Sequence, residues 1–188
     1  MNRAHQINNI VKHCTAGFAL IPAIQTFWKS IGFKTAGYLA IIYQDGTIWW
    51  LMKDGWNYTT DVSLADFTKI TNGVKGFNQF IMNYAYVGGV EKVGNKFIPK
   101  DTQTPLQLKA EHIVIQTFIK WLKANGKDVT KNLGLVGHFD FSPDKNGSGI
   151  IESWERIKEC PSTVVIGSDI HYLYSSPDRY NKLPTQKQ

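Results

Sequence analysis

GHFDFSPDKNGSGIIESWERIKECPS, residues 137–162, is the stretch around which the rest of the chain can be organised. It begins with His138 at the end of an apolar run, and it closes on Lys158, Cys160 and Pro161. Histidine nitrogen and cysteine sulfur are common zinc ligands in proteins. We therefore interpret His138 and Cys160 as two ligands of one zinc ion, and the remaining chain as scaffold or substrate groove around that ion.

The middle of this stretch, residues 144–155, has the spacing of a calcium-binding loop. An EF-hand loop places oxygen ligands at positions 1, 3, 5, 7, 9 and 12 and a glycine at position 6, which is Gly149 when Asp144 is position 1. The candidate ligands are Asp144, Asn146, Ser148, Ile150 through its backbone carbonyl, Glu152 and Glu155. The flanking helices of an EF-hand pair are not evident. We therefore expect a structural calcium site, with a bare acidic turn as the alternative.

A third candidate zinc ligand, His13, lies far upstream in the segment IVKHCTAG. Residues 8–14 predict a strand ending at this histidine, and residues 133–138 predict a strand whose end carries His138. Catalytic zinc sites keep three protein ligands and one open position. Two histidines at strand ends can converge with Cys160 to make such a set, although two satisfied polar histidines and a buried thiol are the alternative.

The segments between these candidate ligands alternate between strand and helix patterns. Helices are predicted over residues 20–31 and 104–124, a short helix near 63–70, and strands over 38–43, 47–51 and 81–90. In the second helix the spacing predicts an apolar face formed by residues 106, 110, 113, 114, 117, 118, 121 and 122. This alternation favours an α/β fold, with a single mixed central β-sheet and helices packed on its faces.

The composition is that of one globular domain with a basic surface. Of 188 residues, 43% are hydrophobic and 19% charged, and no internal repeat or linker is visible. We expect one domain over residues 1–188, with its core at about 8–165 and a polar tail at 168–188. The net charge of +6 suits an anionic partner such as a cell wall. The lysines are spread along the chain without a basic run, so no nucleic-acid-binding patch is expected.

Targeting signals and cysteine usage restrict the setting of the protein. The N-terminus lacks the apolar run of a signal peptide, and no stretch approaches the length of a membrane span. We expect synthesis in the cytoplasm and no membrane insertion. Two cysteines do not make a disulfide framework. Cys14 should point away from the face that carries His13, so we expect it to be a small buried residue.

Six segments occur in an order that resembles a known enzyme family. They are IVKHCTAG, FWKSIGFKTAGY, YAYVGGV, TPLQL, GHFDFSP and KECP. In this order they resemble the zinc-dependent N-acetylmuramoyl-L-alanine amidases of the type-2 family, which includes phage lysozyme-like amidases and animal peptidoglycan-recognition proteins. The resemblance covers roughly residues 8–165. It implies that His13, His138 and Cys160 hold zinc and that Tyr38 and Lys158 are the two catalytic side chains.

The resemblance also implies a reaction and a partner. Such an enzyme cuts the amide between the lactyl group of N-acetylmuramic acid and L-alanine in peptidoglycan. Zinc polarises the carbonyl and activates water, while a phenol and an ammonium, here Tyr38 and Lys158, stabilise the developing oxyanion. The sequence does not identify the general base, a role that Tyr38 could supply. The implied protein is a monomeric phage or prophage endolysin that acts on the cell wall after its release.

Three departures from the family pattern affect substrate detail. Leu39 follows Tyr38 where the family often has histidine, and Gly73 stands where relatives carry a substrate-loop histidine. The segment between His138 and Cys160 is also longer than the resemblance implies, because it contains the calcium-like loop. Two alternatives remain open. The first is a peptidoglycan-binding recognition domain without catalysis, and the second is a cysteine hydrolase that uses Cys160 with a histidine.

Overall fold

The computed structural model of the chain describes residues 2–131, 133–149 and 151–162. Within them, the strands are β1 (Asn9–Cys14), β2 (Ala40–Ile42), β3 (Ile48–Leu51), β4 (Tyr58–Thr59), β5 (Ile81–Tyr86), β6 (Val90–Val93), β7 (Lys96–Pro99) and β8 (Gly134–Gly137). The α-helices are α1 (Arg3–Gln6), α2 (Ile21–Ser30) and α3 (Pro105–Ala124). Short 3-10 helices span Val62–Leu64, Asn78–Phe80, His138–Phe141 and Ser153–Glu155.

A six-stranded mixed sheet, in the order β4-β3-β2-β5-β1-β8, forms the centre of the molecule. Strands β2, β5, β1 and β8 run parallel, and β3 and β4 extend the sheet in antiparallel fashion. Both β1 and β5 are buried along their whole length, as parallel strands covered on both faces are. The predicted α/β fold with a single mixed central sheet is confirmed, and β6 and β7 form a separate hairpin.

Helix α3 lies where the sequence predicts it, and its buried face was predicted in part: the buried members of the predicted set are Ala110, Val114, Phe118 and Leu122. Thr104 caps its start in a reciprocal capping box with Gln107. Leu106 and Ile113, predicted to be buried, are 51% and 55% exposed. Gln107 and Glu111 are also buried. Glu111 pairs with Lys12 of β1 at 2.9 Å, and Gln107 donates to the carbonyls of Ile42 in β2 and of Val87, just after β5. Polar residues with buried partners thus occupy positions that an apolar pattern cannot identify.

The other predicted elements are confirmed with two corrections. Helix α2 and the hairpin of β2 and β3 are present, with Gly46 in the connecting turn at a φ of +83°. The helix predicted near 63–70 is only the 3-10 helix Val62–Leu64, because Ala65 then forms a bridge with Met52 and the chain becomes extended. The exposed β6–β7 hairpin was not predicted. The polar tail predicted at 168–188 lies outside the described residues.

None of the helices in the described part of the chain has the length and apolarity that a membrane crossing requires.

Candidate metal centre

The two candidate histidines lie at the same edge of the sheet because β1 and β8 are parallel. Lys12 pairs with Gly137 in the strand register, so His13 and His138 each follow directly after a matched pair. Their ring centroids are 4.7 Å apart, with an interplanar angle of 64°. The carboxyl ends of parallel strands are where ligands bind in open α/β sheets. Residues far apart in sequence are therefore brought together at the carboxyl edge of the sheet.

Cys160 lies beside these two histidines and makes a group of three. Strand β8 pairs with β1 only as far as Lys12. Further along β1 the Cys14 amide donates to Cys160 Sγ at 3.3 Å. The Cys160 segment is also held by its carbonyl, which accepts from the Phe139 amide at 2.9 Å, and by the Pro161 carbonyl, which accepts from the Tyr86 hydroxyl at 2.6 Å. These bonds place the cysteine sulfur beside the strand end that carries His13.

The donor atoms of His13, His138 and Cys160 all lie within 4.8 Å of one another. Among the described residues, this is the only group of three or more His, Cys, Asp or Glu side chains close enough to share a metal ion. Nδ1 of His13 is 3.6 Å from Cys160 Sγ. Nitrogen and sulfur ligands of a tetrahedral zinc ion lie about 3.5 Å apart when the usual bond lengths apply. The residues present therefore fit a zinc ion in their chemistry, and the pair of His13 and Cys160 fits it in spacing as well.

Burial sets the protonation states of this group. It lowers the pKa of His13 well below its usual range, and the neighbouring His138 lowers it further. The pKa of His138 falls to about 4, first through burial and then through the positive charge of Lys158. Burial raises the pKa of the Cys160 thiol, and contact with Cys14 adds to this effect. Both imidazoles are thus neutral, the form that binds metal, whereas the thiol must release a proton on metal binding.

Tyr38 lies against the same group of side chains. Its ring centroid is 4.9 Å from that of His13 and 5.3 Å from that of Trp28. A Cβ on Gly37 would lie 2.8 Å from Trp28 Cζ2, so only glycine lets the indole pack beside the backbone that carries Tyr38. The Tyr58 hydroxyl fixes this backbone by donating to the Tyr38 carbonyl at 2.6 Å. Burial raises the pKa of Tyr38 well above its usual value, which keeps the phenol protonated.

Lys158 is exposed next to this group. Its positive charge lowers the pKa of both His13 and His138, and it acts in the same direction on the Cys160 thiol. Electrostatically, the ammonium is therefore part of the same site.

Sequence reasoning missed two buried residues beside this group. Asn83 contacts His13 directly, and Thr71 contacts Asn83. No local pattern marks them, because Asn83 is separated from His13 by 70 positions.

The calcium-like loop has a different arrangement. The buried Glu155 carboxylate accepts from the backbone amides of Lys145, Asn146 and Glu152 at 2.6, 3.2 and 3.0 Å. The Asp144 carboxylate accepts from the amides of residues 147, 148 and 149 at 2.8, 3.2 and 2.7 Å. Backbone amides thus occupy the main acidic groups of the loop, and the predicted calcium site receives no support from this geometry.

The remaining predicted calcium ligands are placed as follows. Asn146 donates to the Glu152 carboxylate at 2.8 Å, and Trp154 Nε1 donates to the same oxygen at 2.8 Å. The Ser148 amide donates to Asn146 Oδ1 at 2.9 Å. Ile150, predicted to supply a backbone carbonyl, lies outside the described residues. The calcium site therefore stays a prediction.

Comparisons with known proteins give likeness in structure only. No protein-family model and no curated protein matches the sequence. The amidase LysC from Clostridium intestinale URNW matches at a TM-score of 0.53 and 20% identity over 86% of this chain and 80% of that one. Drosophila PGRP-LB matches at a TM-score of 0.52 and 16% identity, over 95% of this chain and 85% of that one. A third match is the complex of the peptidoglycan recognition proteins PGRP-LCa and PGRP-LCx bound to tracheal cytotoxin.

That complex matches at a TM-score of 0.51 and 20% identity, over 83% of this chain and 76% of the other. Identities this low establish a shared fold, and they leave the activity of this chain to be argued from its own residues. The mixed central sheet and its covering helices agree with these matches. The chain therefore has the α/β fold of the type-2 amidases and peptidoglycan-recognition proteins.

Proposed function

We propose that this protein is a zinc-dependent peptidoglycan hydrolase that cleaves the amide between N-acetylmuramic acid and L-alanine. The observation that carries the proposal is the convergence of His13, His138 and Cys160, with a nitrogen–sulfur separation of 3.6 Å, at the carboxyl edge of the sheet. Three protein ligands leave one position open for substrate or water, as catalytic zinc sites do. The fold, shared with an N-acetylmuramoyl-L-alanine amidase, supports this substrate class.

The side chains around the metal site suit an amide hydrolysis. When bound, zinc supplies Lewis acidity, which polarises a carbonyl group and makes water more acidic. Attack on the amide places negative charge on the carbonyl oxygen. We assign Tyr38 to donate a hydrogen bond to that oxygen, a role that its raised pKa favours over that of a base. We assign the Lys158 ammonium to the same developing charge.

Two other functions remain as alternatives. A recognition domain that binds peptidoglycan without cleaving it would use the same fold, and recognition proteins are among the structural matches. The presence of all three ligand residues favours catalysis. A cysteine hydrolase would use the contact between His13 and Cys160 for nucleophile activation. Burial raises the pKa of Cys160, whereas a nucleophilic cysteine needs a lowered one.

The setting of the enzyme is part of the proposal. We infer a monomeric endolysin of phage or prophage type, acting on peptidoglycan or muropeptides of the cell wall. The net charge of +6 supports attraction to an anionic wall. A structural calcium ion in the loop of residues 144–155 is a separate and weaker proposal, because it rests on spacing alone.

A digest of purified peptidoglycan tests the proposed reaction. We expect one zinc per chain, release of free N-terminal L-alanine, and intact glycan strands. New reducing sugar ends would identify a glycosidase and contradict the proposal. Binding without any cleavage by the zinc-loaded protein would favour the recognition domain. Activity that survives complete zinc removal but not thiol alkylation would favour the cysteine hydrolase.

A further inference from the structure

A buried chain of hydrogen bonds leads away from the metal centre on the side opposite to Cys160. His13 Nε2 lies 2.9 Å from Asn83 Oδ1, and Asn83 Nδ2 donates to Thr71 Oγ1 at 3.0 Å. All three side chains are 0% exposed. Water therefore cannot substitute for any of these partners, and a group left unpaired there would cost free energy.

This chain of bonds selects one tautomer of His13. The Asn83 amide nitrogen is occupied as a donor to Thr71, so its oxygen faces the imidazole. An amide oxygen only accepts, so the histidine proton must be on Nε2. A neutral imidazole then has its lone pair on Nδ1, which is the nitrogen 3.6 Å from Cys160 Sγ. The lone pair is thereby directed at the place where the metal ligands converge.

The strand register explains how Asn83 reaches this position. Strands β1 and β5 are parallel neighbours, with Val11 opposite Asn83 and His13 opposite Ala85. Alternate residues share a face, so Asn83 projects from the same face of the sheet as His13. The next residue on β5, Tyr84, projects from the other face and donates to Glu111 at 2.6 Å. Adjacent residues of one strand thus belong to two separate buried networks.

Gly73 provides the space that the Asn83 amide occupies. A Cβ at position 73 would lie 2.5 Å from Asn83 Oδ1 and 2.7 Å from Nδ2, closer than non-bonded atoms can approach. Any larger residue at this position would have to displace the amide from His13. The glycine that stands where the family resemblance implies a histidine is therefore matched to Asn83 in this chain.

We propose that Asn83, oriented by Thr71 and accommodated by Gly73, is a positioning residue that holds His13 in the metal-binding tautomer. This inference rests on the proposed zinc site and adds to it residues outside the three ligands. Partners of this kind fix the ring orientation of a ligating histidine, and their loss typically weakens metal binding about 10–100-fold. A purely structural role would instead affect the stability of the fold and leave metal affinity unchanged.

The test compares zinc affinity across matched variants, measured by competition with a chromophoric chelator. Asn83→Leu removes the acceptor at similar volume, and we expect its zinc dissociation constant to rise about 10–100-fold. Asn83→Asp keeps an acceptor oxygen and should remain within a few-fold of wild type. Tyr84→Phe is the control on the same strand, because it removes a buried bond on the other face. It should lower the melting temperature without changing zinc affinity.

Thr71 gives a milder pair of variants if Asn83→Leu does not fold. Thr71→Val removes the hydroxyl that orients the amide and should weaken zinc binding, whereas Thr71→Ser should restore it. Nitrogen-15 shifts of the His13 ring in metal-free protein should show the proton on Nε2 in wild type. The ring of Thr71→Val should lose this preference.

The outcomes separate this inference from the proposed function. If wild type binds zinc and Asn83→Leu or Thr71→Val binds it equally tightly, the positioning role is overturned and the zinc site stands. The same holds if the metal-free wild-type ring carries its proton on Nδ1. If wild type binds no zinc, the proposed function fails and the positioning role fails with it.

Discussion

Two regions of this molecule carry metal-ligand residues, and they differ in what those residues contact. In the centre formed by His13, His138 and Cys160, donor atoms from two distant parts of the chain face one another. In the loop of residues 144–155, the carboxylates of Asp144 and Glu155 face the backbone amides of their own loop. Ligand spacing alone does not make a site. The donor atoms must also be directed at a common point.

The difference follows from the two kinds of local structure. Parallel strands deliver His13 and His138 to one edge of the sheet. There the Cys160 sulfur accepts from one backbone amide, that of Cys14. A tight loop exposes many unpaired amides, and acidic side chains satisfy these amides readily. A cation in the loop would share the oxygens of carboxylates that already accept three backbone hydrogen bonds each. A cation in the centre would separate only a weak nitrogen–sulfur contact at 3.6 Å.

Removing a ligand from the centre should have the largest effect. We expect His138→Ala and Cys160→Ser to abolish peptidoglycan hydrolysis and to reduce zinc content to a small fraction of one per chain. Zinc analysis and a muropeptide digest measure both outcomes. His112→Ala is the matched control, because this histidine is exposed on α3 and should leave both unchanged. Full activity in a metal-free His138→Ala protein would remove the basis of the comparison.

Replacing the two catalytic candidates should lower turnover and leave the metal in place. Loss of one donor to a developing oxyanion costs roughly 10²–10³ in rate. We expect effects of this size for Tyr38→Phe and Lys158→Ala, measured as kcat on a soluble muropeptide. Lys145→Ala, an exposed lysine of the loop, is the control for loss of positive charge. Near-wild-type turnover in both variants would confine the chemistry to the metal and its ligands.

Acidification should destabilise the metal-free centre. The pKa of His138 is lowered to about 4 in the folded protein from an ordinary value of 6.5. The unfolded chain therefore binds more protons between these pH values, and the free energy of unfolding falls as the pH drops through this window. A difference of this size corresponds to at most about 3.4 kcal/mol. Urea denaturation at several pH values measures the slope.

His138→Gln provides the control for this pH dependence. The variant lacks the titrating imidazole, so the slope between pH 6.5 and about 4 should be smaller than that of wild type. His13, whose pKa is also lowered by burial, should account for part of the remaining slope. An identical slope in wild type and variant would mean that His138 is not buried as a neutral ring.

The sequence could predict the group of His13, His138 and Cys160, because each histidine lies at the end of a recognisable strand and the cysteine lies in a short Lys-x-Cys-Pro motif. It could not predict Asn83, since nothing local links a strand asparagine to a histidine on another strand. The same limitation explains the error in α3. The buried positions of Gln107 and Glu111 depend on partners in the sheet, such as Lys12, and not on helical periodicity. Polar networks between elements are thus the part that local patterns miss.

Adding calcium should have the smallest effect of these changes. It tests whether the loop of residues 144–155 binds a metal ion. Weak loop sites bind calcium at about 10⁻⁴–10⁻³ M. At 10 mM calcium, a site with a dissociation constant near 1 mM would stabilise the fold by about 1.4 kcal/mol. For a chain of this length that raises the melting temperature by roughly 3–6 °C. We expect a rise of this size in wild type, measured by thermal denaturation with the zinc content held constant.

The Glu155 carboxylate can act as an acceptor for backbone amides or as a calcium ligand, and Glu155→Gln separates these two roles. The substitution leaves one acceptor oxygen for three backbone amides, so the melting temperature should fall even without calcium. The calcium response should disappear, and zinc should remain bound, because the loop contributes no ligand to the centre. Glu159→Gln, an exposed acid beside Cys160, controls for the loss of charge. If the melting temperature of wild type is unchanged by millimolar calcium, the loop is held by backbone hydrogen bonds alone. The two regions would then differ in kind, as a metal centre and an acidic turn, and not merely in affinity.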